Sequence, residues 1–146
     1  MSKKPKQRSE IENKDYKSKS SMTRDFGNEK PIWKFEIFDV GLGWNEEISQ
    51  DYLLTTILTR IKSFESMTWN EILIRDKKAN HSIPLGSIIP QARKRLQIIK
   101  QDDIDKLISL RVGATERIWG IKELNVFKIL WWDPEHKICP CPLKHT

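Results

Sequence analysis

The chain has 146 residues, 26 Lys+Arg against 20 Asp+Glu, 38% hydrophobic and 32% charged residues, and six tryptophans. That length and mix suit one soluble globular domain with a polar extra segment. No apolar run approaches the ~18 residues of a membrane span, and the N-terminus lacks the apolar core of a secretory signal, so the expected location is the cytoplasm. Cys139 and Cys141 lie one residue apart, too close for a disulfide between elements, and nothing points to an oxidising compartment.

Charge is spread unevenly: residues 1–30 carry +4, residues 31–74 carry −4, and residues 75–146 carry +6. The basic C-terminal half is the one suited to a polyanion. Residues 1–30 are rich in Lys, Ser, Glu and Asn with few large apolar groups, and read as a disordered basic tail in which Met22 offers an alternative start. Residues 31–146 read as a single domain.

Order is expected to begin at Pro31, with a strand over "IWKFEIFDV" ended by Gly41 and Gly43. After Ser49 as N-cap, Leu53, Leu54, Ile57, Leu58, Ile61 and Phe64 recur at helical spacing. Thr68 and Glu71 have capping-box spacing and open a short helix carrying Trp69, Ile72 and Leu73. Arg75 to Gly86 reads as a polar loop, and it holds His81.

Pro90 suits the first turn of another helix that turns Ile89, Ala92, Leu96 and Ile99 inward. Arg93, Lys94 and Arg95 then face mostly outward, and with Lys144 they are the candidate RNA-binding cations. "QDDIDKLI" reads as a cap and a short helical turn. The period then becomes that of strands: Leu107 to Val112, Arg117 to Ile121, Val126 to Trp132, and a short Lys137 to Cys139 after the "DPEH" turn. The expected fold is α+β, with an N-terminal strand, two or three helices, and an antiparallel meander of three or four strands with the helices on one face.

Leu110-Arg111-Val112-Gly113, then Arg117 opening "RIWGI", then "VFKILWW" closing near His136 resembles the second half of the RelE/ParE toxin superfamily. The resemblance spans roughly Pro31 to Pro140 and is close over the last third. It implies the toxin of a type II toxin-antitoxin system, held inactive by a cognate antitoxin. In one branch such toxins cleave mRNA on the ribosome, without a metal or other cofactor. On that resemblance Arg117 is the phosphate-stabilising cation, Arg111 the Leu-Arg arginine, and His136 the acid or base of the last-strand segment. A second branch places a catalytic histidine at the C-terminus, a role open to His145. Where many members carry a tyrosine, this chain has Cys139.

Two other readings stay open. A ParE-like toxin would bind DNA gyrase with no catalytic histidine, and a basic domain with a degenerate site would only bind RNA or a protein. Neither a small-molecule substrate nor a membrane is expected. His136, Cys139, Cys141 and His145 place four possible zinc ligands in ten residues, but the Cys-x-Cys spacing and Pro140 fit a structural zinc site poorly. Trp131 and Trp132 could stack on bases, yet neighbouring strand residues face opposite ways, so at least one belongs to the core. Trp69 and Trp119 are expected in the core.

Overall fold

The computed structural model describes residues 26–140. Most of the expected tail, Met22 included, lies outside the described residues, as do Cys141, Lys144 and His145. The end of that expected tail is not loose: Phe26–Asn28 form a 3₁₀ turn, and the Glu29 carbonyl accepts from the Trp69 amide at 3.0 Å.

The elements are strand β1 (Ile32–Lys34), helix α1 over residues 50–65, helix α2 over residues 69–75, strand β2 (His81–Pro84), helix α3 (Pro90–Ile98), and strands β3 (Lys106–Arg111), β4 (Arg117–Glu123) and β5 (Val126–Asp133). The expected start signals work as chemistry. Ser49 Oγ accepts from the Tyr52 amide at 3.1 Å, and Thr68 and Glu71 exchange two bonds of 2.9 and 3.2 Å, each side chain taking the other's amide. Pro90 occupies the first turn of α3. Within α1 the turns over Leu53–Ile57 widen to π geometry.

One five-stranded sheet runs in the order β1-β5-β4-β3-β2. The fold is α+β, and β3, β4 and β5 form the expected antiparallel meander. Its flanks differ from expectation. β1 joins parallel beside β5, and β2, hidden in the supposed polar loop, pairs antiparallel with β3. β2 is a four-residue edge strand ending in a proline and burying only Ile83, so it lacks an alternating apolar signature. Residues 35–43 turn rather than extend, residues 101–105 hold no helix, and residues 137–139 hold no strand.

Helices cover both faces of the sheet, not one. Ile57 of α1 and Trp69 and Ile72 of α2 pack on Ile108, Ile118 and Phe127, while Ala92 and Leu96 of α3 pack on Leu107, Trp119 and Ile121. Burial of five consecutive residues, Arg117 to Ile121, is the mark of a central strand covered on two sides. On α1 the expected stripe splits: Ile57 and Phe64 are buried, whereas Leu54 and Leu58 face solvent.

A β-bulge sets the last strand. Trp119 pairs with Trp131 but Gly120 pairs with Ile129, leaving Leu130 as the extra residue. Leu130 and Trp131 therefore both enter the core beneath α3, and Ile129 and Trp132 enter the core beneath α1 and α2. Both tryptophans are core residues, one on each side. Gly43, at φ 87°, lies where a Cβ would strike the Trp132 carbonyl, so the loop before α1 can close on β5 only with glycine there.

Candidate functional site

Cross-strand pairing carries a polar end onto the α3 face of the sheet. His81 of β2 pairs with Ser109 of β3, which pairs with Trp119 and through it with Trp131. Two residues further along, Arg111, Arg117 and Asp133 form the next rung. Since side chains two apart share a face, His81 and Ser109, on the Trp119–Trp131 rung, and Arg111, Arg117 and Asp133, on the rung beyond it, stand on one surface.

Arg117 is buried, with 7% of its surface exposed. Its Nη1 donates to the carbonyls of Gly113 (3.0 Å), Glu116 (3.0 Å) and Ala114 (3.3 Å), while its Nε has no partner. Arg111 Nε donates to the same Gly113 carbonyl at 3.0 Å. Two guanidiniums thus converge on one loop carbonyl, and no ion pair among the described residues includes either of them. Desolvation and then the Arg111 charge lower the Arg117 pKa, and the charges of Asp133 and Glu116 oppose them. The neighbouring Ser109 Oγ is buried without a partner.

Asp133 is buried, yet its carboxylate is taken up by the backbone. Oδ1 accepts from the Lys137 amide (2.8 Å), and Oδ2 from the Ile138 amide (3.0 Å) and Trp119 Nε1 (3.2 Å). These bonds fold residues 134–138 back over the end of β5 and hold His136 at φ 58°, in the left-handed region. Asn80 plays the matching part before β2: its Oδ1 accepts from the Arg111 amide at 3.0 Å, and its Nδ2 donates to the Ile72 carbonyl at 3.0 Å. Both loops that flank the arginines are tied down by buried polar side chains.

His81 and His136 lie at this end and are half-buried. Desolvation lowers the pKa of His81, a backbone hydrogen bond with Lys78 pulls it up, and the Arg117 charge lowers it. For His136, desolvation comes first and the Arg117 charge second; Asp133 raises the pKa and His81 lowers it. The Arg117 charge thus acts on both rings in the same direction as their burial.

Of the residues expected from sequence, Arg111, Arg117 and His136 are brought together. His145 and Lys144 lie outside the described residues. Arg93 and Lys94 are exposed on α3, but Arg95 does not face outward as a free cation. Its Nε and Nη2 grip Asp39 at 2.8 and 2.7 Å, and Asp39, itself buried, also accepts from Trp131 Nε1 at 2.9 Å. Arg95 fastens the loop after β1 to α3. Cys139 is wholly buried in the core beneath α3. Ser109, Asp133 and Asn80 were missed and His81 was read as part of a polar loop; only the strand register unites them.

The arrangement offers fixed donors for an oxyanion beside two imidazoles able to move protons near neutrality. Among the described residues no group of three or more His, Cys, Asp or Glu could hold a metal ion, and no helix is long and apolar enough to cross a membrane. Compared with protein-family models, curated proteins and solved structures, the chain matches none of them.

Proposed function

We propose that the chain is a RelE/ParE-like toxin that blocks translation by cutting mRNA at the Arg111–Arg117 end of the sheet. The observation that carries this reading is the meeting of two guanidiniums on the Gly113 carbonyl with no ion-pair partner. Like charges brought together cost energy, and a phosphodiester bound across them offsets it with charge-assisted, bidentate bonds. Ser109 Oγ and Arg117 Nε are buried behind this end without partners. Two histidines at the same end of the sheet are of the residue type that moves protons in ribose-assisted cleavage. An antitoxin partner belongs to the reading, and the exposed Leu54 and Leu58 of α1 give it an apolar strip.

The test is addition of the full chain to a cell-free translation reaction, with the message recovered and mapped by primer extension. Discrete cuts that depend on ribosomes support the proposal. Halted synthesis with intact message, or undisturbed synthesis beside poisoned supercoiling by gyrase, would replace it with the gyrase reading.

A further inference from the structure

We infer that Arg60 of α1 and Arg111 of β3 hold two successive phosphates of one RNA strand, which crosses the open end of the sheet beside the β3–β4 turn. The inference rests on the reading that this end of the sheet takes RNA. It adds a positioning residue, Arg60, that neither the periodicity of α1 nor the family resemblance marks out.

The strand register creates the place for Arg60. β2 pairs with β3 only from Lys106 to Ser109, so the Arg111 N–H and C=O lie past the end of β2 and need other partners. Two side chains supply them. Asn80 Oδ1 accepts from the Arg111 amide at 3.0 Å, and Arg60 Nε donates to the Arg111 carbonyl at 3.0 Å. The Arg60 guanidinium also lies over the Phe64 ring, 4.4 Å from its centroid and one turn along the same helix. A hydrogen bond at Nε and a ring beneath the plane together fix its orientation.

Arg111 is latched in the same manner, its Nε donating to the Gly113 carbonyl at 3.0 Å. Neither guanidinium has an ion pair or a bond at its Nη atoms among the described residues. Asp76, whose carboxylate feels the Arg60 charge, is bound instead by Arg75 Nε and Nη2 at 3.1 and 3.0 Å. Arg111 is exposed and Arg60 half-buried, each with its Nη edge left without a protein partner.

That edge is the part of a guanidinium that meets a phosphate with two parallel N–H groups, and an anchored Nε lowers the side-chain freedom lost on binding. The two anchoring carbonyls are two residues apart, about 6–7 Å at the rise of a strand. Such a span fits the step between neighbouring phosphates of an extended strand, not two contacts to one phosphate. Arg117, bonded to the same Gly113 carbonyl as Arg111, adds its charge behind the pair.

The experiment measures binding of the full chain to a short 2′-O-methyl RNA, which cannot be cut, over a range of salt concentrations. The variants are Arg60→Gln, Arg60→Lys, Arg111→Gln and Lys62→Gln, each shown by thermal melting to be folded at the temperature used. The logarithm of affinity should fall with the logarithm of salt, and the slope should drop by about 0.7 in Arg60→Gln and again in Arg111→Gln, one single-strand phosphate each. Arg60→Lys should keep most of the slope and lose affinity, because it keeps the charge without the planar fork. Lys62→Gln, which removes a charge from an exposed position on the same helix, should leave the slope as it is.

A length series separates successive phosphates from a shared one. RNA with a single linkage should bind the parent, Arg60→Gln and Arg111→Gln alike, whereas a second linkage should strengthen binding to the parent and add little in either variant. If Arg60→Gln keeps the parent slope, or gains as much as the parent from the second linkage, the inference is overturned while an effect of Arg111→Gln leaves the RNA reading standing. If neither arginine variant alters the slope, or a glutamate-rich peptide of equal charge binds the parent as tightly as the RNA does, both fall together.

Discussion

Arg111 and Arg117 donate to a single acceptor, the Gly113 carbonyl, each at 3.0 Å. The contact joins the end of β3 to the start of β4 and fixes two cations side by side. Arg117 is thereby a structural residue as well as a candidate phosphate ligand. With three loop carbonyls bound to its Nη1 and the side chain itself buried, removing it loses those charge-assisted bonds and its packing, at a cost of ~1–3 kcal/mol. Arg117→Ala should therefore lose both stability and function. Arg117→Lys keeps the charge but not the planar fork, and should fold better than Arg117→Ala yet still lose ~10²–10³ in cleavage rate. Thermal melts beside the translation assay separate the two losses. A lysine variant with full activity would show that only charge matters.

The histidines should report on Arg117. Its charge lowers the pKa of both His81 and His136, so neutralising it should raise both. In the parent both rings should titrate below 6.5, the usual histidine value, as followed by NMR of the ring protons. Arg117→Gln should move both midpoints upward, and Arg111→Gln should move them less. Unmoved midpoints in Arg117→Gln would place the rings out of reach of the guanidinium.

Asp133→Asn tests the loop that carries His136. The substitution keeps one acceptor but puts an amide where Oδ1 or Oδ2 receives backbone N–H groups, so one of the Lys137 and Ile138 bonds must break. The expected cost is ~1–3 kcal/mol, with a fall in activity that persists well below the melting temperature. Activity equal to the parent would mean that His136 holds its place without Asp133.

Acid should loosen the far side of the same face. Arg95 first, then the bonds from Trp131 and Gly41, hold the Asp39 carboxyl down at about 2, against 3.8 for a free aspartate. Because the folded value is the lower one, this stabilisation is present in full above pH 3.8 and fades as pH falls from there through about 2. It amounts to at most about 2 kcal/mol, since Arg95 is 32% exposed and partly screened. Denaturant melts from pH 6 to pH 2 should show the loss in the parent and not in Asp39→Asn. Arg95→Ala should destabilise by a similar amount, with RNA affinity little changed.

Sequence periodicity reveals what local chemistry writes. The capping box of Thr68 and Glu71, the Ser49 cap, Pro90 in its helix and the three meander strands were all legible, because each rests on neighbours along the chain. β2 was not, because His81-Ser82-Ile83-Pro84 buries one residue and depends on β3 for its form. The same gap hid half of the candidate site. Arg117 and His136 stood out through the family resemblance, but His81 and Ser109 become neighbours of the arginines only through the β2–β3 register. The second helical layer was equally silent. A run such as Arg117 to Ile121, buried throughout, shows that two faces are covered without showing which helix covers which. Asp39 and Arg95, 56 residues apart, carry no sign of their pairing in the chain.

The central claim is that the paired arginines hold an RNA phosphodiester, and the Nε–H resonance of Arg117 tests it most directly, because that nitrogen has no partner in the protein. The measurement is a nitrogen–proton correlation spectrum of the arginine side chains, titrated with a 2′-O-methyl RNA that cannot be cut. The account predicts that the Arg117 Nε–H signal moves on binding, that the shift reverses with added salt, and that Arg111→Gln weakens the affinity. If Arg117 Nε–H stays in place while RNA saturates the protein and shifts other resonances, the phosphate lies elsewhere and the account is wrong.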